Sequence, residues 1–132
     1  MRLLLPLIVS TLTLSSFATT LTLANPPLAQ KLNCNEAQTQ LEINNCAHLS
    51  YQNADKKLNR AYKQLLPKLS KSRQQKLIAA QLAWIKFRDA SCEFERSQYE
   101  GGSIAPTIYS TCLEAVTKQR TQQLVGYLEN PN

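Results

Sequence analysis

Four cysteines in a chain of 132 residues, Cys34, Cys46, Cys92 and Cys112, constrain the fold more than any other feature. In an oxidising compartment they make two disulfides, and a small domain stapled in this way needs less core than one held by packing alone. A length near 130 allows one domain and leaves little room for two. Only three glycines are present, too few for a fold rich in tight β-turns or for a phosphate-cradling loop. The single histidine, His48, excludes a multi-histidine metal site.

The first residues indicate the compartment. Met1-Arg2 is a short positive segment, and Leu3-Leu4-Leu5-Pro6-Leu7-Ile8-Val9 opens an apolar run to about Leu14. Two small-x-small sites follow, Ser16-Phe17-Ala18 and Thr22-Leu23-Ala24. Cleavage after Ala24 is favoured because Asn25-Pro26-Pro27 then begins a polar, non-helical end. An uncleaved anchor fits less well, since eight residues between Leu3 and Ala24 are serine or threonine. Cys34 follows Lys31-Leu32-Asn33, not the small-residue run of a lipidation signal. The expectation is a signal peptide over 1–24 and a soluble periplasmic or secreted domain over 25–132, with 14 basic against 9 acidic side chains, a net charge of +5.

That domain reads as three helices. Thr39-Gln40-Leu41-Glu42 is a capping box, and Ile43, Ala47, Tyr51, Ala54, Leu58, Ala61, Tyr62 and Leu65 then recur at three- and four-residue steps. Pro67 stops this helix. A second helix starts after Ser70 or Ser72 with the stripe Leu77, Ile78, Leu82, Trp84, Ile85, Phe87, Cys92 and Phe94, and Gly101-Gly102 ends it. Ser103 or Ala105 leads into a third helix, with Pro106 in its first turn and Ile108, Cys112, Val116, Leu124 and Leu128 facing inward. No stretch alternates long enough for a sheet. The fold class is all-α: a disulfide-stapled three-helix bundle whose first two helices form a long hairpin.

Reflecting each helix through its turn places Cys46, Cys92 and Cys112 at one level. Five extended residues before Thr39, reaching about 17 Å, can bring Cys34 to the same level. Cys34 and Cys46 cannot bridge within one continuous helix, where twelve residues rise about 18 Å. All three pairings remain open if the segment before Thr39 turns back, and level matching leans to Cys46–Cys92 with Cys34–Cys112. The same reflection sets Asp55 near Arg120, Glu42 near Arg96 and His48 near Asp89 as cross-helix clamps. Trp84 belongs in or at the edge of the core, with Arg88 and Asp55 paired across helices.

Little here supports catalysis. No nucleophile elbow surrounds His48, and paired cysteines leave no thiol nucleophile and no metal ligands. Asp89, Glu93 and Glu95 sit within two turns of one helix, where solvated charge is the ordinary role. Neither an enzyme nor a cofactor is expected. Secretion and the lack of an aromatic-interleaved basic stripe argue against nucleic acid. Lys56, Lys57, Arg60, Lys63 and Lys68, followed by Lys71, Arg73 and Lys76, make the hairpin tip basic, while Asp89 to Glu100 makes the other end acidic. The basic tip suits an anionic envelope lipid or polymer.

Cys34-x-x-Ala37-x-Thr39-Gln40-x-Glu42-x-Asn44-x-Cys46-Ala47, then Tyr51, Ala54-Asp55, Leu58-Asn59 and Tyr62, resembles the opening of the LprI-like domain. The resemblance continues through Gln81-x-x-Trp84-Ile85-x-Phe87-Arg88-Asp89-x-x-Cys92 and Gly101-Gly102-Ser103 to Cys112, Thr117, Arg120 and Leu124. It implies a small, secreted, disulfide-bonded helical domain and, from the family's name, a lysozyme inhibitor. The chain lacks the lipidation cysteine of the name-giving protein, so surface anchoring does not transfer. A lysozyme cleft holds two carboxylates, and an inhibitor would insert a loop presenting donors there. Gly101-Gly102-Ser103, flanked by Glu100, is the expected inserting element. Its acidic end would dock on the rim of a basic enzyme that the net charge repels at long range. The expected partner is a lysozyme or another envelope protein, and the expected state a monomer or weak dimer.

Overall fold

Thr39 begins the ordered helical part of the molecule in the computed structural model, which describes residues 32–130. The signal peptide expected over 1–24 and the start of the expected domain, 25–31, lie outside the described residues. The Thr39 hydroxyl accepts the Glu42 amide at 3.2 Å, and Glu42 Oε2 accepts the Thr39 amide at 2.9 Å and the Gln38 amide at 3.0 Å. This reciprocal cap satisfies amides that the first helical turn leaves orphaned, and α1 runs from it over Gln40–Leu65. A single 3₁₀ turn, Leu66–Lys68, accommodates Pro67 near its start. Helix α2 covers Lys71–Ser97 and α3 covers Ala105–Glu129, with Pro106 in its first turn where a missing amide breaks no bond. There is no strand among the described residues.

Helix α2 ends one turn before the glycine pair. The Ser97 hydroxyl donates to the Phe94 carbonyl at 2.6 Å, and the chain then passes through successive turns to Ile104.

The three helices pack as a bundle in which α3 is the shared partner. Helix α3 lies along both α1 and α2, whereas no Cα of α1 comes within 8 Å of a Cα of α2. The core forms two clusters. Leu58, Ala61, Leu65, Leu69, Leu77 and Leu124 fill the end near the α1–α2 turn, with Trp84 packed against them. Cys92, Cys112 and Leu113 fill the other, flanked by Tyr51, Tyr109 and Val116. Polar residues are buried as well: Gln81, Arg88, Ser110 and Thr117.

The disulfides are Cys34–Cys46 and Cys92–Cys112, with Cα separations of 5.5 and 5.4 Å. This corrects the pairing that level matching favoured. Cys46 and Cys92 sit on α1 and α2, which stay further apart than the roughly 4.4–6.8 Å between Cα atoms that a disulfide spans. The segment before Thr39 folds back, with the Glu36 amide donating to the Asn33 carbonyl at 3.1 Å, and so brings Cys34 to its own helix.

The stripe assigned to α2 is also corrected. Its buried residues are Leu77, Gln81, Arg88 and Cys92, whereas Ile78, Leu82, Phe87 and Phe94 are exposed. Ile43 on α1 is exposed too.

Candidate functional site

Two features occupy different places on this scaffold: a buried arginine facing α1, and a protruding loop between α2 and α3. The arginine is held on three sides. Arg88 is 8% exposed; its Nε and Nη2 donate to Asp89 Oδ1 at 2.8 and 2.7 Å, and its Nη1 lies 3.8 Å from Asp55 Oδ1. The guanidinium carbon stands 5.1 Å from the Trp84 ring centroid and 5.7 Å from that of Tyr51. Burial pushes the Tyr51 phenol above its usual range, and the Arg88 charge opposes that shift. Asp55 also accepts from Asn59 Nδ2 at 2.8 Å, one turn along α1. Asp55, Asn59, Tyr62, Gln81 and Arg88, with Ile78, Leu82 and Ile85, border an open recess of about 420 Å³ between α1 and α2.

The other sequence-derived clamps fall elsewhere. Arg120 donates to Gln81 Oε1 at 3.1 Å and to Gln123 Oε1 at 2.9 Å, not to Asp55. Glu42 stays in the α1 cap, and its bonds to the Thr39 and Gln38 amides hold its carboxyl below the usual range. Arg96 pairs instead with Glu93, three residues back on its own helix, through contacts of 2.8 and 2.5 Å. That bond lowers the Glu93 carboxyl and raises the Arg96 guanidinium. His48 is exposed, its Nε2 3.0 Å from Gln52 Nε2, and does not meet Asp89. Reflection through a turn fixes only the height of a residue on its helix and not the direction it faces, and these three pairs do not form.

The loop is the more accessible feature. Tyr99, Glu100, Gly101, Gly102, Ser103 and Ile104 are all exposed. Gly101 has φ +77°, a left-handed conformation that side chains other than glycine adopt at a cost. A Cβ on Gly102 would come to 3.1 Å from the Tyr99 carbonyl oxygen, in a turn that the Gly102 amide closes onto that same oxygen at 2.9 Å. The far side is fastened to α1, where Asn44 Nδ2 donates to the Ser103 carbonyl at 3.1 Å. Asn44 Oδ1 in turn accepts from Gln40 Nε2 at 3.0 Å and from the Thr107 hydroxyl at 2.5 Å.

The whole loop lies inside the segment closed by Cys92–Cys112. Gln40, Asn44 and Thr107 were not singled out from the sequence as loop supports. Asn44 nevertheless stands between Glu42 and Cys46 in the motif that opens the family pattern, which is the signal that marks it.

Among the described residues no group of three histidine, cysteine, aspartate or glutamate side chains is placed to hold a metal, and all four cysteines are paired. The arrangement presents a stiffened loop at an acidic end and a basic tip at the other. Among the described residues no helix is long and apolar enough to cross a membrane.

Comparison with known proteins places this scaffold. The family model described as "Lysozyme inhibitor LprI" matches residues 33–124, which take in all four cysteines, the loop and the Arg88 cluster. The uncharacterized protein R02472 of Rhizobium meliloti (strain 1021) is 31% identical over 110 residues, covering 74% of this chain and 79% of that protein. No solved structure gives a significant match.

Proposed function

The chain belongs to the lysozyme inhibitor LprI family, and from that premise we propose a secreted or periplasmic lysozyme-inhibitor-like protein that acts by binding, without catalysis, after removal of residues 1–24. The proposed contact is the loop Glu100, Gly101, Gly102 and Ser103, with Tyr99 and Ile104 beside it. One observation carries this reading: the exposed loop is pre-ordered, tied to α1 through Asn44 and bounded by a disulfide. A loop already fixed in shape loses little entropy on entering a cleft, which is how small inhibitors gain affinity. Two disulfides suit an oxidising compartment. The loop also lies at the acidic end, with Glu93, Glu95 and Glu100, the end that a basic lysozyme would attract.

The test is lysis of a cell-wall suspension, followed by turbidity, with an animal-type and a bacterial muramidase. Micromolar oxidised protein at low salt is expected to slow at least one enzyme. Glu100→Lys or Ser103→Tyr should abolish the effect, while Lys56→Glu and Lys63→Glu should leave it intact. Absence of inhibition of both enzymes refutes the reading.

A second reading rests on charge. From Lys56 to Arg88 the chain carries ten basic residues and no acidic one. Lys56, Arg60 and Lys63 line one exposed face of α1. This tip fits an anionic lipid or polymer of the envelope, with binding that weakens as salt screens exposed charge. Loss of vesicle or polymer binding in the Lys56 and Lys63 variants, with the loop variants unaffected, would favour it over inhibition.

A further inference from the structure

Helix α2 has a second apolar seam that runs beside its buried stripe, starting at Ala80 on the rim of a recess shared with Leu77 and Arg120. Ala80, Ala83, Phe87, Ala90 and Phe94 follow one another at steps of three, four, three and four, the spacing of a coiled-coil contact line. All five are exposed, Phe87 at 63% and Phe94 at 71%. Single exposed apolar side chains are ordinary on a protein surface, whereas an aligned seam about 21 Å long is a packing surface. Its residues are distinct from the loop and from the basic tip.

We propose that this seam pairs with the same seam of a second copy, antiparallel about a twofold axis between Phe87 and Ala90. Shape favours this occupant. In that register each Phe87 lies over Ala90 of the other copy and each Phe94 over its Ala83, so every central layer matches one large side chain with one small one. Two helices then approach closely without leaving a void or a clash.

Charge favours it independently. Lys86 and Glu93 flank the seam on the same side, and the antiparallel register brings Lys86 of each copy beside Glu93 of the other. Along its whole length α2 is basic at its start, with Lys71, Arg73 and Lys76, and acidic near its end, with Glu93 and Glu95. Antiparallel pairing sets unlike ends together, and parallel pairing would set like ends together. A twofold contact of this kind is the commonest form of homo-oligomer.

Sedimentation velocity of the oxidised protein, from low micromolar to submillimolar concentration, tests the proposal. The apparent mass is expected to double across that range. Phe87→Glu and, separately, Phe94→Glu should weaken association about tenfold or more, with helical circular dichroism unchanged because both rings are exposed. Lys86→Glu should weaken it too, and the double variant Lys86→Glu, Glu93→Lys should restore it, since the swapped charges still meet across the axis. A wild-type chain that stays monomeric throughout overturns the proposal, as does a dimer that survives both phenylalanine variants. Failure of the charge swap to restore association overturns the antiparallel register. A monomer that floats with anionic vesicles, and ceases to with Phe87→Glu, assigns the seam to a lipid surface and also overturns the dimer.

Discussion

The Arg88 guanidinium and the Asp55 carboxylate face each other at 3.8 Å across α1 and α2, two helices whose backbones never come close. The arginine is nearly buried, while the side chain of Asp55 keeps 37% of its exposure. The two ends of this bridge therefore carry unequal weight. Arg88 also holds Asp89 and lies over two aromatic rings, whereas Asp55 can turn to water.

Removing the arginine is expected to cost far more than removing its partner. Arg88→Ala should lose about 3 kcal/mol, through lost packing on Trp84 and Tyr51 together with lost charge pairing. Asp55→Asn should lose about 1 kcal/mol or less, because Asp89 still satisfies the guanidinium. Urea unfolding of the two variants measures the difference, and equal losses would show that the pair acts as a symmetric clamp.

Thr117 gives a test with the opposite sign. Its side chain is fully buried, and its hydroxyl has no hydrogen-bond partner among the described residues. Thr117→Val keeps the shape and removes a desolvated polar atom, so thermal unfolding should show a gain of about 1 kcal/mol.

The disulfides predict both a map and a stability. Peptide mapping without reduction should recover Cys34 joined to Cys46 and Cys92 joined to Cys112, with no free thiol in the denatured protein. Replacing Cys92 and Cys112 together by alanine should cost about 3 kcal/mol. Losing Cys34–Cys46 should cost somewhat less, since it closes the shorter segment and Cys34 is exposed.

Acid should act on α1 through its cap. Glu42 has its carboxyl held below the ordinary glutamate range in the folded state, chiefly by the Thr39 amide. Its contribution is therefore full above the unfolded value of about 4.3 and is lost as pH falls from there toward the depressed folded value. Stability measured from neutral to strongly acid pH should drop in that window, and Glu42→Gln should remove that part of the drop.

Helix number, helix starts and the α1 cap were legible in the sequence because each has a local chemical marker: Thr39 with Glu42, Pro67, and Pro106. The shared level of Cys92 and Cys112 was legible too, since they do meet across the turn between α2 and α3. What the pattern hid was the direction each helix faces. On α2 the inward positions are Leu77, Gln81, Trp84, Arg88 and Cys92, and two of those five are polar. A reading that follows apolar residues thus drifts toward Ile78, Leu82, Phe87 and Phe94, which look outward. The candidate loop was visible through its glycines. The way it is anchored was not, because Asn44 reaches the Ser103 carbonyl, and Thr107 reaches Asn44, only after the helices have docked.

The position of the loop between Cys92 and Cys112 also bears on proteolysis. An exposed loop is where a protease would cut first. A cut anywhere between those two cysteines leaves both pieces covalently joined, so a nicked molecule keeps its three helices in one covalent unit. It would run as a single species until reduced, and its loop ends would still be tethered on either side of the break.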